Sequence, residues 1–362
     1  MALLPDDYMA RALFHASRGR GRTSPNPLVG AVVVSQDRVV VGQGYHERAG
    51  EAHAEVRALE TAGAASRGGT LYSTLEPCCH VGRTGPCVVR IVEAGIVRVV
   101  AALDDPNPLV SGKGFAYLRG HGVDVQVGVG RLAAAALNQA FFTLVQADRP
   151  FVILKAAVSQ DGCIAEAPGR RTQLTSAEAD RHAQRMRAEV DAIGVGVDTV
   201  IVDDPLLTSR DVYRERPLLR VVFDRGLRMP PGARLLSTPE SGPVMIVTTA
   251  AGASRGQARN RLEALGARVE VAESRSFAAA LAVLGRRRIG SLILEGGAAV
   301  HRAAWDEGVT DFVSVYRTPH VLGANGVRFL GGAPFLPEAL VDAHTAHLGP
   351  DVLIEGYVHG PR

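Results

Sequence analysis

The residues that could do chemistry are concentrated in one stretch of the chain. His53 is followed two residues later by Glu55, and the pair Pro77-Cys78 precedes a further thiol, Cys87. A catalytic zinc ion takes three protein ligands and leaves its fourth position to water. It lowers the pKa of that water from about 15.7 to about 7, so that water is activated at neutral pH. One imidazole and two thiolates therefore predict a zinc site that activates water.

Glu55 indicates what this site would do. A His-x-Glu pattern followed by Pro-Cys and a second Cys is typical of zinc-dependent base deaminases, in which the Glu moves protons and is not a ligand. A helix that begins near His53 would place Glu55 beside the metal. The alternative is a closed zinc knuckle without chemistry, which would leave the position of Glu55 unexplained.

The spacing of the thiols departs from the usual Cys-x-x-Cys. A valine stands where the second Cys is expected, and the next thiol beyond the pair Cys78-Cys79 is Cys87. On spacing alone Cys79 and His80 are rival ligands. We favour Cys78 and Cys87 because each directly follows a proline.

Composition limits the class of protein. The chain has 362 residues, which favours two domains. A net charge of +3 and a single Trp give no indication of a surface that binds nucleic acid. No apolar run approaches the length of a membrane span. Three of the four cysteines lie between positions 78 and 87, as in a metal site rather than a disulfide framework. Without a secretory signal at the start, we expect a soluble, cytoplasmic protein.

The elements that must position the zinc residues follow from hydrophobic periodicity. Short apolar runs alternate with stretches at helical spacing, which is typical of a sheet covered by helices on both faces. Pro25-Asn26-Pro27 is a rigid turn ahead of the first strand, where the amide of Asn26 could bind a substrate. We predict helices at 6–17, 53–62, 86–94 and 114–121, and strands at 29–34, 38–42, 69–74, 97–102 and 123–127.

The pattern restarts after a polar boundary at 146–150. Thr175-Ser-Ala-Glu178 is a capping box that opens a helix to Arg187. A strand runs into Glu295-Gly-Gly297 before a helix at 298–307, a joint whose backbone amides could bind phosphate. The segment 203–208 is predicted to be a turn loop. Further strands are predicted at 151–158, 192–197, 218–223, 244–248, 268–271, 289–294, 312–316 and 351–358.

Motifs in both halves resemble the bifunctional riboflavin-biosynthesis deaminase–reductases. The resemblance covers essentially the whole chain and implies two three-layer α/β domains. The first, 1–146, would be a zinc-dependent pyrimidine deaminase of cytidine-deaminase fold, and the second, 151–362, an NADPH-dependent reductase similar to dihydrofolate reductase. The matching motifs are Pro25–Gly30, Gly44–His46, His53–Glu55, Glu76–Cys78, Gly82–Cys87, Asp105–Pro108, Lys155, Ser159–Gly162, Asp191–Gly196, Thr199–Thr208, Arg216–Arg220 and Glu295–Gly297.

The resemblance also implies an activity and its cofactors. With one Zn²⁺ per deaminase domain, the first domain would convert a phosphoribosylated diaminopyrimidinone to the aminouracil. The second would reduce the ribosyl group to ribityl with NADPH, which carries the hydride chemistry, so that the protein mainly binds and orients. The partners would be this small-molecule substrate and further copies of the chain in a homo-oligomer.

Matching the family's motifs residue by residue assigns the rest of the site. Arg210 would clamp the ribose phosphate, since guanidinium binds phosphate through two hydrogen bonds. Arg225 either meets the extra phosphate of NADPH or is a surface arginine, and Lys155 and Asp161 either orient the sugar or pair with each other. The predicted substrate residues are Asn26, His46, Lys155, Arg171, Leu207, Arg210 and Glu295, and the predicted NADPH residues are Ala157, Gln173, Thr199, Asp203, Arg225, Gly297 and Ala298.

The chain departs from the family before the capping box. Members commonly carry Ser-x-Trp-Ile-Thr, whereas this chain has Arg171 and Gln173 at the Ser and Trp positions. The packing of substrate and nicotinamide there is therefore expected to differ.

Two other functions compete with the bifunctional enzyme. A deaminase acting on nucleic acid would need a basic groove with aromatic side chains, which the composition does not favour. A zinc-stabilised protein that senses a nucleotide without turnover would keep its binding when Glu55 is replaced by Gln.

Overall fold

The computed structural model describes residues 4–79, 85–108 and 110–360. The chain forms two compact units that divide between Ala147 and Asp148. No helix among the described residues is both long and apolar enough to cross a bilayer.

The first unit is built on a five-stranded sheet in the order β2-β1-β3-β4-β5. Strand β1 is antiparallel to β2 and β3, while β3, β4 and β5 run parallel. The elements are α1 (Pro5–Ser17), β1 (Gly30–Val34), β2 (Val40–Tyr45), α2 (Ala54–Ala62), β3 (Thr70–Ser73), α3 (Cys87–Glu93), β4 (Arg98–Ala101), α4 (Lys113–Gly120), β5 (Asp124–Val127), α5 (Arg131–Leu137) and α6 (Gln139–Ala147).

Helix α2 lies close against β2 because two residues of that strand have no side chain. A Cβ on Gly42 would stand 2.1 Å from the carbonyl oxygen of Ala58, and one on Gly44 would stand 2.8 Å from that of Ala54. The apolar run of β1, buried along its whole length, forms the centre of the core beside them. This packing fixes the start of α2, where His53 and Glu55 stand.

The second unit is built on a nine-stranded sheet in the order β11-β10-β9-β8-β12-β6-β13-β16-β15. All neighbouring strands are parallel except β16, which is antiparallel to β13 and β15. The elements are β6 (Phe151–Val158), β7 (Cys163–Ala165), α7 (Ala177–Glu189), β8 (Ala192–Gly196), α8 (Val197–Asp203), β9 (Leu219–Phe223), β10 (Val244–Thr249), α9 (Ala250–Ala253), α10 (Gly256–Ala264), β11 (Ala267–Ala272), α11 (Phe277–Arg286), β12 (Ser291–Gly296), α12 (Ala298–Asp306), β13 (Phe312–Arg317), β14 (Val327–Arg328), β15 (Val341–Leu348) and β16 (Asp351–Tyr357).

The predicted capping box was wrong by one residue. The N-cap of α7 is Ser176, whose hydroxyl accepts a hydrogen bond from the amide of Ala179 at 3.2 Å. Thr175 instead donates its hydroxyl hydrogen to Asp180 at 2.5 Å. Counted from Ser176, the third residue of the helix is an alanine, so the reciprocal half of a capping box is missing.

Other elements extend beyond the prediction. Helix α6 runs to Ala147, so the polar stretch predicted as a boundary at 146–150 begins inside a helix. Asp203, predicted in a loop, ends helix α8. Strand β12 includes Glu295 and Gly296, so only Gly297 joins it to α12. The elements that were not predicted are helices α5, α6, α8, α9, α10 and α11 and strands β7, β14 and β15.

Candidate active sites

Three predicted ligands in the first unit converge on one point. The ligand atoms of His53, Cys78 and Cys87 lie within 4.8 Å of one another. Nδ1 of His53 is 3.3 Å from Sγ of Cys87 and 3.4 Å from Sγ of Cys78. Zinc bonds of about 2.0–2.3 Å in tetrahedral geometry separate neighbouring ligand atoms by about 3.5 Å. One nitrogen and two sulfurs at these distances therefore fit a zinc ion with one position left for water.

Local structure explains how the ligands meet. His53 is the N-cap residue of α2, and Cys87 is the first residue of α3. Cys78 follows the loop after β3, and its Sγ accepts a hydrogen bond from the amide of Cys87 at 3.4 Å. A hydrogen bond from Cys87 lowers the pKa of Cys78 to about 4, whereas the same contact, together with burial, raises the pKa of Cys87. A bound metal ion would displace the protons of both thiols and hold them as thiolates.

Glu55 lies in the first turn of α2, buried beside the three ligands. The Sγ atom of Cys87 donates a hydrogen bond to its Oε2 at 3.6 Å. Burial raises the pKa of Glu55 to about 7, although the neighbouring His53 opposes the shift. A carboxyl group with a pKa near neutrality is suited to taking up and returning a proton.

The rival ligands do not join this cluster within the described residues. Cys79 is absent from the only described group of His, Cys and acidic side chains close enough to share a metal ion. Burial raises the pKa of its thiol. His80 lies outside the residues that the structure describes.

Asn26 and His46 form a pair beside the zinc ligands. Nδ2 of Asn26 is 3.1 Å from Nε2 of His46, and Nδ1 of His46 is 3.3 Å from the carbonyl oxygen of Ala52. The ring of His46 meets that of His53 edge to face at 5.3 Å between centroids. Burial lowers the pKa of His46, which favours the neutral ring. In that form Nδ1 donates a hydrogen bond to the carbonyl of Ala52, and Nε2 accepts one from the amide of Asn26. The two predicted substrate residues are thus held in a fixed geometry.

The second unit has a cavity of about 610 Å³. It lies at the carboxyl ends of β8, β12 and β6, the edge at which parallel α/β sheets bind their ligands. All but one of the residues predicted for this unit line it, and they are Lys155, Ala157, Arg171, Gln173, Thr199, Asp203, Leu207, Arg210, Glu295, Gly297 and Ala298. Arg225 is exposed, follows β9, and is not among the lining residues.

A buried ion pair that the sequence did not reveal stands at the floor of the cavity. Nε and Nη2 of Arg187 donate to the two carboxylate oxygens of Glu295 at 2.6 and 2.5 Å, and Nη1 donates to the carbonyl of Thr208 at 2.8 Å. Nζ of Lys155 lies 3.9 Å from the same carboxylate. Burial alone would raise the pKa of Glu295, but Arg187 and Lys155 hold it at about 2. Arg187 links the strand end to the loop that carries Leu207.

Lys155 and Asp161 have different partners. Leu154 pairs with Leu294 in the register of β6 and β12, which brings Lys155 next to Glu295. Asp161 accepts hydrogen bonds from the hydroxyl of Ser159 at 2.6 Å and from the amides of Leu322 and Gly323. The alternative in which Lys155 and Asp161 pair with each other was therefore wrong.

The joint predicted to bind phosphate has an unusual backbone conformation at Gly297. Gly297 has a φ of +85°, a conformation that residues with a Cβ rarely adopt. A Cβ on Gly297 would also stand 3.3 Å from the hydroxyl oxygen of Thr199. Gly297, Ala298 and Thr199 all line the cavity, so the start of α12 belongs to its wall.

The two departures from the family motif have distinct surroundings. Nε2 of Gln173 donates to Thr175 and, at 3.3 Å, to Asp180, so its amide belongs to the polar start of α7. Arg171 is exposed. Burial raises the pKa of the Asp203 carboxyl, and the nearby guanidinium of Arg171 partly opposes this rise. The Trp that family members commonly carry is therefore replaced by the hydrogen-bonded amide of Gln173, and the Ser is replaced by the positively charged Arg171.

The two sites together define a class of protein: a zinc-type hydrolytic site on one α/β unit and a ligand cavity at the sheet edge of another. Residues 5–103 match the family model described as the cytidine and deoxycytidylate deaminase zinc-binding region, and residues 150–354 match the RibD C-terminal domain. A riboflavin biosynthesis protein RibD from Aquifex aeolicus is 42% identical over 88% of this chain and 87% of that protein.

Solved structures agree. The RibD protein of Acinetobacter baumannii superposes with a TM-score of 0.85 at 35% identity, covering 97% of this chain and 98% of that one. A Thermotoga maritima protein described as a diaminohydroxyphosphoribosylaminopyrimidine deaminase and 5-amino-6-(5-phosphoribosylamino)uracil reductase gives 0.82 at 32% identity, with the same coverage. The chain belongs to the RibD family of bifunctional deaminase–reductases in riboflavin biosynthesis. The resemblance inferred from its motifs, and the two α/β domains it implied, are confirmed.

Proposed function

We propose that the first unit deaminates 2,5-diamino-6-ribosylamino-4(3H)-pyrimidinone 5′-phosphate and that the second reduces the resulting ribosyl group to ribityl. The observation that carries the proposal is the cluster of His53, Cys78 and Cys87 with Glu55 buried beside it but outside the ligand set. The Thermotoga maritima relative is described by these same two activities.

The deaminase step assigns a role to each side chain. His53, Cys78 and Cys87 would hold one zinc ion per first unit, and the ion would lower the pKa of a bound water so that this water could add to the amino-bearing ring carbon. Glu55 would take one proton from that water and give it to the ring nitrogen, and would then move the proton of the added hydroxyl group to the amino group, which leaves as ammonia as the carbonyl forms. Asn26 and His46, fixed by their mutual hydrogen bond, orient the substrate beside the ligands.

The reductase step depends on binding and orientation. NADPH supplies the hydride. A carboxylate has about four lone-pair sites, and Arg187 uses two of those on Glu295, which leaves the others to accept from sugar hydroxyls. Arg210 clamps the ribose phosphate, while the amides at Gly297 and Ala298 receive the phosphates of the dinucleotide.

The remaining NADPH residues are assigned by position. Ala157, Gln173, Thr199 and Asp203, which line the cavity, would contact NADPH, and Arg225 would meet its extra phosphate outside the cavity. Arg171 and Leu207 face the substrate. NADPH as the preferred dinucleotide, and a homo-oligomer, stay predictions to be checked by cofactor kinetics and by light scattering.

Product mass after incubation with the diaminopyrimidinone ribosyl phosphate, zinc and NADPH tests the proposal. Exchange of an amino group for oxygen, plus a gain of two hydrogens, is expected. If the reaction stops at the uracil, the change at Arg171 and Gln173 has redirected the reductase. If the substrate is recovered unchanged, the deaminase assignment is wrong, and the reductase assignment is then tested on supplied aminouracil. Failure of both reactions would support a nucleotide-sensing role.

A further inference from the structure

A buried carboxylate near the zinc ligands has a role that the proposed chemistry does not use. Glu76 lies two residues before Cys78 and is only 3% exposed. Its two oxygens accept hydrogen bonds from four backbone amides of a later segment of the chain. Oε2 accepts from Asp105 at 3.2 Å and Gly112 at 2.9 Å, and Oε1 accepts from Gly114 at 2.9 Å and Phe115 at 3.3 Å.

These amides belong to the start of helix α4 and the loop before it. Amides in the first turn of a helix have no acceptor within the helix, and the helix dipole favours negative charge there. The N-cap residue of α4 is Gly112, which has no side chain to serve this purpose. Glu76 therefore caps α4 from a distant part of the chain and, through Asp105, also holds the loop after β4.

A glycine gives independent evidence for the same contact. A Cβ on Gly114 would stand 2.2 Å from the carbonyl oxygen of Pro77, the residue directly before Cys78. Real Cβ atoms do not approach a backbone oxygen so closely, so any side chain at position 114 would push the two segments apart. The first turn of α4 thus presses against the peptide that carries the zinc ligand.

We propose that Glu76 is a positioning residue of the deaminase site, which fixes Cys78 against Asp105 and the start of α4. The inference rests on the proposed function of the first unit. Glu76 acts through Cys78, whose sulfur it holds at the distance that His53 and Cys87 require, and through the start of α4 beside it.

The first test replaces Glu76 by Gln, which has the same shape but turns an NH₂ group toward two of the amide donors. We expect zinc affinity, measured by competition with a chelating dye, to fall at least tenfold. Cobalt substituted for zinc should show a shifted thiolate charge-transfer band. In the metal-free protein, amide hydrogen exchange across 105–115 should become faster. The reductase, assayed on supplied aminouracil, should be unchanged in the same preparation.

A second pair of variants separates positioning from loss of folding. Gly114→Ala should weaken zinc binding as Glu76→Gln does, because its methyl group meets the Pro77 carbonyl. Gly120→Ala is the control in the same helix: no atom lies within 4 Å of its Cβ, so zinc affinity should stay at the wild-type value. A merely structural role would lower thermal stability but leave the cobalt spectrum of the folded protein unchanged.

The outcomes are distinct. The inference is overturned if both Glu76→Gln and Gly114→Ala keep the zinc affinity and cobalt spectrum of the unmodified protein. The proposed function still stands in that case if the unmodified protein deaminates the substrate. If the wild type binds zinc but does not deaminate, the proposed function fails. In that case the affinity, cobalt and exchange measurements still decide the role of Glu76. If Glu76→Gln cannot be purified, Gly114→Ala alone decides it.

Discussion

The two units build their sites in different ways. The zinc site takes His53 and Glu55 from the start of α2, and its two thiols from Cys78 and from Cys87 at the start of α3. The cavity of the second unit takes its walls from residues spread between 155 and 327. Metal ligands must be of a few residue types at short spacing, whereas a cavity needs only strand ends brought side by side. The first kind of site can be recognised in a sequence; the second depends on sheet order.

The largest effect is expected at Glu55, where a single side chain carries the proton transfers. Glu55→Gln should reduce deamination by about 10²–10⁴-fold, the usual contribution of a general acid–base. Zinc content and the reductase activity should be unchanged, which a metal assay and turnover of supplied aminouracil would check. Deamination at the wild-type rate would remove Glu55 from the mechanism.

The ion pair of Arg187 and Glu295 should contribute strongly to the stability of the second unit. Arg187→Met leaves Glu295 buried without its bidentate partner, a change that costs about 3–5 kcal/mol of unfolding free energy. Trp305 is the chain's only tryptophan and lies in this unit, so its fluorescence during urea unfolding reports on it. The variant Arg149→Met, which breaks another buried pair in the same unit, with Asp311, should destabilise it without changing substrate KM.

The same pair makes the second unit sensitive to acid. The folded pKa of Glu295 is about 2, below its ordinary value of 4.5. Its charge therefore contributes stability that is fully present above pH 4.5 and lost as the pH falls through 2. Unfolding followed by Trp305 should show this decline in the wild type and a weaker one in Arg187→Met. An identical pH dependence in both would show that Glu295 is not held by Arg187.

A smaller effect is expected at the cavity mouth. Arg210→Ala should raise the KM for the phosphoribosyl substrate about 10–100-fold, since a hydrogen bond to a charged group is worth about 1.5–3 kcal/mol. The control is Arg170→Ala, which removes a lining arginine already paired with Glu166 and should leave KM near the wild-type value. An equal rise in both variants would indicate a general effect of positive charge and not a clamp.

The smallest effect is expected at Arg225, which lies outside the lining of the cavity. Arg225→Ala should reduce the preference for NADPH over NADH by a few-fold at most, because an exposed ionic contact is worth about 1 kcal/mol or less. Steady-state kinetics with both dinucleotides would measure the ratio. An unchanged ratio would make Arg225 a surface arginine, and Arg171 the next cation to examine.

The sequence by itself was enough for the features that depend on neighbouring residues. The His53–Glu55 pattern with Cys78 and Cys87 specified a metal site, because zinc chemistry admits few residue types. Apolar runs specified most strands, since a buried parallel strand is apolar along its whole length. The motifs were also sufficient to place the chain in its family.

Tertiary structure decided what depends on residues far apart in the chain. Arg187 meets Glu295 across 108 residues because strand β12 lies between β8 and β6 in the sheet, an order that no local pattern encodes. The cap of α7 moved to Ser176 because Thr175 had a better partner in Asp180. Glu76 met the amides of α4 only once both segments were folded. Backbone amides are the same in every residue type except proline, so a sequence pattern does not show which amides a distant carboxylate will bind. The sequence therefore showed Glu76 as part of a motif but not its partners.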